Sequence, residues 1–353
     1  MGCTEYPGAG GLSAPPESVD WTRVVWYRQP WTEITRYFDL RTGRELLDQP
    51  VLPVAKFHDG LAPARVVATG KLGYMDRLGR LRIAARYDRA GPFCDGRAVV
   101  AVAEGEGIID ITGEWVTKPG TYEQLGFYRE GLCAFRVKDR WGFLDREGRV
   151  QIPPGIDLTA IPCFSEGLCA VGQSYLDKQA TTVIKLDEVV YCYDFREGRA
   201  RIAGRFDGQW WYDGFIDRSG RMVIPPIYAG AGNFSEGLAP VSLRDRSTFR
   251  DDGIFEPGEK IEPPPLWGFI DLNGKLVIPM QYHEVRHFRN GLAPFIRDRG
   301  WGYMDKTGKV VLPEIYELAN SFENGVARVV LDGRVVFIDT SGRILVKTDM
   351  VDY

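Results

Sequence analysis

A phenylalanine with a glycine three residues after it returns along this chain at nearly constant spacing, and no other feature restricts the possible folds so strongly. It stands at Phe57 and Gly60, Phe93 and Gly96, Phe164 and Gly167, Phe195 and Gly198, Phe234 and Gly237, Phe288 and Gly291, and Phe322 and Gly325, with a looser copy at Phe127 and Gly131. The steps between phenylalanines are 36, 34, 37, 31, 39, 54 and 34 residues, a period near 35 with three irregular members. A second marker follows each first one: Asp, two residues, then usually Gly. It occurs at Asp76/Gly79, Asp110/Gly113, Asp145/Gly148, Asp177/Ala180, Asp217/Gly220, Asp271/Gly274, Asp305/Gly308 and Asp339/Gly342, with an earlier copy at Asp39 and Gly43, so nine units are visible. Units this short cannot enclose a core alone and must stack on one another.

Each unit reads as three short strands, exemplified by Gly291–Ile296, Trp301–Met304 and Lys309–Leu312. The Asp-x-x-Gly between the second and third is a hairpin signal, because Asp bonds its own downstream backbone and Gly takes the left-handed conformation. Ala180 breaks this rule, so the fifth unit's hairpin is expected to be the most strained or altered. Both alternating sets are apolar: Trp141 and Phe143 point one way and Leu144 the other, with Gly142 leaving room. Sheets buried on both faces have this pattern, so each should lie between two neighbours. Trp then reads as the peg between layers, and its Gly as the place where the next backbone or ring comes close. A buried Trp hides roughly 150–250 Å², worth at most about 4–6 kcal/mol. The expected fold is all-β, a tandem array of about nine three-stranded antiparallel meanders over 21–353. It forms either an open curved or spiral stack or a closed propeller-like ring. The open form is favoured because propeller blades usually carry four strands and number eight or fewer.

The segments WGFLDREGRVQIP, LWGFIDLNGKLVIP and GWGYMDKTGKVVLP, each preceded by a Phe-containing GL(A/C) stretch, resemble the WG-repeat (KWG) family of bacterial β-repeat proteins. The resemblance covers Trp21 to the C-terminus, although Leu72, Glu106, Gln173, Asp213 and Val335 stand where Trp would. It implies a β-repeat array with a binding or scaffold role and carries over no catalytic residue.

Composition narrows the partners. Net charge is -4 with the signs interleaved, which argues against nucleic acid, whose binding needs a basic patch. No run reaches the roughly 18 apolar residues of a membrane span. Residues 1–20 read as a flexible Gly/Pro/Ser-rich tail. Cysteines 94, 133, 163, 169 and 192 lack CxxC spacing and read as small buried hydrophobes. Reduced thiols point to the cytoplasm, with a surface lipoprotein anchored at Cys3 as the alternative.

His283-Glu284-Val285-Arg286-His287 spells HExxH, which on a helix would bind zinc. Here it occupies the slot of the connectors Tyr87–Phe93 and Tyr316–Phe322, too short for such a helix, so no metal and no cofactor is expected. The recurring hairpin Asp is assigned to turn chemistry, and the acid of the Phe-x-Glu-Gly marker to a solvated turn. The repeat breaks in one place. From marker Gly to hairpin Asp the distance is 14 to 16 residues in units two to four, then 10, 19 and 34 in units five to seven, then 14 and 14. Equivalent loops of a stacked array share one rim, so the irregular units, about 164–274, should carve a notch there. The rim candidates are Arg205, Trp210, Trp211, Tyr212, Phe249 and Phe255. The leading expectation is a non-catalytic scaffold holding a protein partner. The alternatives are a glycan or small-molecule binder using the aromatic rim, and an enzyme with a site in the irregular loops.

Overall fold

The computed structural model describes residues 23–28, 35–46, 51–187, 191–205, 211–243 and 266–351. The tail with Cys3, and Trp210, Phe249 and Phe255, lie outside the described residues. The described chain has no α-helix and folds into nine antiparallel sheets. The first has two strands, Val24–Arg28 and Thr35–Asp39. The second to ninth are four-stranded meanders over 51–87, 89–117, 124–156, 164–185, 191–228, 230–282, 284–316 and 318–351.

Four strands replace the expected three because the connector itself contributes one. In the eighth sheet Glu284–Val285 pairs with Ile296 and Phe295, and two residues are too few to display an alternating pattern. The marker that follows is a two-residue turn with both positions left-handed, φ 53° at Asn290 and 79° at Gly291, as a type I′ hairpin requires. In the Asp-x-x-Gly hairpin, Asp305 Oδ1 accepts the N–H of Thr307 at 2.9 Å and of Lys309 at 3.1 Å. Ala180 makes the same turn at φ 62°, so that hairpin is strained rather than altered.

The Trp-Gly pair has a different cause from the one expected. Trp301 pairs with Tyr316 but Tyr303 with Leu312, so Gly302 alone faces the bulged residues 313–315 of its own sheet's last strand. A Cβ would lie 2.9 Å from the Leu312 carbonyl at Gly302, and 2.5 Å from the Ile278 carbonyl at Gly268. Glycine is demanded by the bulge within the sheet, not by the next layer. Proline sits in the bulge at 279 and 313, where the ladder asks for no N–H.

The contact that recurs between layers joins the aromatic two residues past the Trp position to the marker phenylalanine of the next sheet. Tyr74–Phe93, Phe143–Phe164, Tyr175–Phe195, Phe215–Phe234, Phe269–Phe288 and Tyr303–Phe322 have ring centroids 4.7–5.0 Å apart. It survives where Leu72, Gln173 or Asp213 replaces Trp, so Trp is not the common peg. Trp141 and Trp301 are buried beside it. In the fourth sheet the buried aromatic is Tyr128, and Phe127 is 62% exposed.

The marker side chains do more than turn the chain, which corrects the solvated-turn reading. Oxygens of Asp59, Asp95, Glu130, Glu166, Glu197, Glu236 and Asn290 accept the N–H of Gly96, Gly131, Gly167, Gly198, Gly237, Gly291 and Gly325 at 2.7–3.0 Å. Each bond crosses to the next sheet. Cations one residue past the hairpin Asp join in: Arg146, Lys178, Arg218 and Lys306 reach Asp95, Glu130, Glu166 and Glu236.

Nine apolar clusters fill nine interfaces between sheets. Eight join consecutive sheets, and the ninth joins the last to the first, where Phe38 packs with Val335, Phe337 and Val346. Its neighbour Tyr37 points the other way, onto Ala62, Ala64 and Met75 of the second sheet. The ends therefore meet, the second of the two expected arrangements. No exchanged strand is needed, because the first sheet is apolar on both faces and wedges between its neighbours.

Candidate binding surfaces

The variable loops join the second strand of each sheet to the third and share a rim with the connections between sheets. In the sixth sheet the second strand, Arg199–Gly204, ends against Arg205, and Trp211 immediately precedes the third, Tyr212–Ile216. Trp211, 39% exposed, stacks on Tyr191, 56% exposed, with centroids 5.4 Å apart and ring planes 28° apart. The Arg205 guanidinium lies 5.7 Å from the Trp211 ring. Tyr212, next along the strand, points to the opposite face and is 4% exposed, so it leaves the surface. Of the six expected rim residues the structure brings Arg205 and Trp211 together. Tyr191 was missed, although it opens the sixth sheet and pairs with Ala203 near the end of the second strand. Leu243 and Leu266, also exposed, flank the long loop of the seventh sheet.

Below this ledge, Asp213 stands in the Trp position and is buried. It accepts the Ala231 N–H at 2.8 Å and faces Arg201 at 3.5 Å, while Arg201 donates to the Ala231 carbonyl at 2.6 Å. Burial raises the Asp213 pKa against the pull of Arg201.

The HExxH segment is extended, so its histidines share no helical face. His283 is exposed, and His287 is half-buried with its Nε2 lacking a hydrogen-bond partner among the described residues. Burial, then Arg289 and Arg201, lowers its pKa. Among the described residues no group of three or more His, Cys, Asp and Glu is placed to hold a metal. The described cysteines are free, Cys133 and Cys169 buried and Cys94, Cys163 and Cys192 half-buried. Cys163 Sγ lies 3.3 Å from Arg129 Nη1 and 3.7 Å from Asp194 Oδ2, and burial followed by Asp194 raises its pKa.

A cleft of about 970 Å³ opens where the ends of the chain meet, lined by Val25, Lys56, Arg77, Asn324, Val326 and Phe337 among others. Sequence reasoning missed it, since its walls come from the first, second and ninth sheets.

Six segments match the profile of the WG containing repeat: 73–103, 107–141, 141–173, 214–246, 267–298 and 301–334. Together they span more than half of the chain. The chain belongs to the WG-repeat family. The WG-repeat matches leave out 174–213, the stretch that carries Tyr191, Arg205 and Trp211, so the ledge sits where the chain departs from its repeat. No curated protein matches the chain. Among solved structures, Hsv2 of Kluyveromyces marxianus is 10% identical, with a TM-score of 0.36 over 69% of this chain and 88% of that one. A prolyl endopeptidase is 12% identical, with a TM-score of 0.40 over 73% of this chain and 49% of that one. The extracellular domain of a hybrid two-component system from B. thetaiotaomicron is also 12% identical, at 0.26, over 95% of this chain and 51% of that one. Likenesses of this size say nothing about what the WG-repeat chain does. Among the described residues no helix is long and apolar enough to cross a membrane.

Proposed function

We propose that this WG-repeat protein is a non-catalytic scaffold that holds a protein partner on the rim of its fifth to seventh sheets. The observation that supports this reading is the ledge of Tyr191, Trp211 and Arg205. Two large rings stacked with their planes 28° apart and left partly exposed gain little for folding, while aromatic residues and Arg are the side chains that dominate protein interfaces. The Cys163 cluster fits catalysis poorly, because a thiol whose pKa is raised is a weak nucleophile. Half-buried free thiols are consistent with the cytoplasm, with anchorage through Cys3 as the alternative. The test is quantitative capture with the wild-type chain and with a Tyr191→Ala/Trp211→Ala variant. A protein recovered by the first and lost with the second is the expected result, and equal recovery contradicts the reading.

A second reading, a glycan or small-molecule binder, draws on the same stacking, since flat rings also receive sugar faces. Saturable binding to an oligosaccharide panel, lost in the same variant, would favour it.

A further inference from the structure

We propose that the hairpin tips of the second and third sheets form a self-complementary surface on which a second copy of this chain docks about a two-fold axis. These hairpins lie at the opposite end of the strands from the ledge, and the assignment does not depend on that reading.

Two charges at this place break the repeat. The residue after the glycine of the Asp-x-x-Gly hairpin is a cation in six of the eight four-stranded sheets: Arg80, Arg149, Arg221, Lys275, Lys309 and Arg343. Each of the four arginines turns back onto the Asp of its own hairpin, Arg80 on Asp76, Arg149 on Asp145, Arg221 on Asp217 and Arg343 on Asp339. The third sheet puts Glu114 in that slot. Asp110 Oδ1 already accepts the N–H of Thr112 at 2.9 Å and of Glu114 at 3.1 Å, so the Glu114 carboxylate only adds a like charge beside it. The turn gains nothing from this acid. Two residues beyond the slot, seven of these sheets carry an uncharged side chain such as Gln151, Val277 or Val311, and the second sheet alone carries a charge, Arg82. Arg82 and Glu114 are both exposed, and neither forms an ion pair among the described residues.

The fold fixes the two hairpins against each other. Arg86, in the strand Leu81–Tyr87, donates to the Gly113 carbonyl at 2.8 Å, and a Cβ on Gly113 would lie 2.9 Å from Ile83 Cγ2. Arg82 and Glu114 therefore each stand one residue from the same contact, on neighbouring sheets. Around them Leu78, Leu81 and Ile111 are 58%, 38% and 43% exposed. Residues 76–82 hold three cations and one acid, whereas residues 110–116 hold two acids and no cation. Adjacent patches of opposite sign, both bearing aliphatic side chains, are what a two-fold contact requires, since each patch of one copy meets its complement on the other. Two Arg82–Glu114 pairs then form at once around a shared apolar centre. Two hairpins from each copy make a small interface, in the class below roughly 1,200 Å² that gives transient pairs.

The test is sedimentation velocity of the full chain over a roughly hundredfold concentration range, because association follows mass action. A reversible equilibrium between monomer and dimer is expected. Arg82→Glu and Glu114→Arg should each weaken self-association by about tenfold or more, since both pairs become like-charged. Both positions are exposed, so circular dichroism of each variant should match wild type. Mixed in equal amounts, the two variants should recover the dimer, because both pairs are again of opposite sign. Tyr191→Ala/Trp211→Ala should dimerise as wild type does, and a loss there would move the contact to the ledge and overturn the proposal. A chain that stays monomeric throughout, a charge variant that self-associates as wild type does, or a mixture that stays monomeric would each overturn it as well.

Discussion

Phe38 and Phe337, near opposite ends of the chain, lie with ring centroids 6.2 Å apart and planes tilted by 44°. This contact turns a stack with two exposed faces into a closed cycle. Phe38→Ala should lower stability by roughly 3–5 kcal/mol, the usual cost of emptying a buried phenylalanine site, read as a shift of the urea midpoint. A negligible shift would mean that the seam contributes nothing.

The bulge account separates two kinds of glycine. Gly268→Ala places a Cβ 2.5 Å from the Ile278 carbonyl, a clash with backbone that cannot rotate away, and should destabilise by about 1–3 kcal/mol. Ala180→Gly runs the other way, releasing a left-handed alanine and raising stability by about 0.5–1 kcal/mol. Thermal unfolding of both variants checks the opposite signs.

Much of this was legible in sequence. The period, the hairpins and the apolar character of both faces follow from residues close along the chain. Whatever depended on contacts a whole unit away was not. The reach of Glu130 to the Gly167 N–H leaves no local trace, so its carboxylate looked like any solvated turn. The strand Glu284–Val285 is too short for periodicity to register. Tyr212 was misplaced because adjacent strand residues face opposite ways, and only the start of the strand decides which is outside. The cleft required knowing that the ends meet.

That parity yields a stability test of its own. Tyr191→Ala and Trp211→Ala should each change stability by no more than about 0.5 kcal/mol, as expected of exposed positions. Tyr212→Ala should cost several-fold more. Urea titration of the three variants would expose an error if Trp211 proved the costlier.

Acid sensitivity follows from groups whose folded pKa is depressed. In Glu130 burial pulls upward, but the Gly167 N–H, Lys178 and the Glu166 N–H together hold the pKa below its ordinary value. The Thr307 hydroxyl on Asp305 and the Ser341 hydroxyl on Asp339 lower theirs. Each such group binds protons better in the unfolded chain, so its stabilisation is complete above the unfolded value and is lost as pH falls through the folded one. His287, lowered by burial and by Arg289 and Arg201, has the same sign, and Asp213, raised by burial, has the opposite one. The urea midpoint should therefore fall gently below about pH 6.5 and steeply below about pH 4. His287→Asn should remove the first limb, and a first limb that persists in it would contradict the assignment.

The closed ring is tested most directly on the wild-type chain by zero-length carbodiimide cross-linking of Lys56 to Glu323, an ion pair that joins the second sheet to the ninth. Peptide mass spectrometry of the monomer band should recover a Lys56–Glu323 isopeptide. Cross-links confined to neighbouring sheets in sequence, with none joining second to ninth, would show that the array is open.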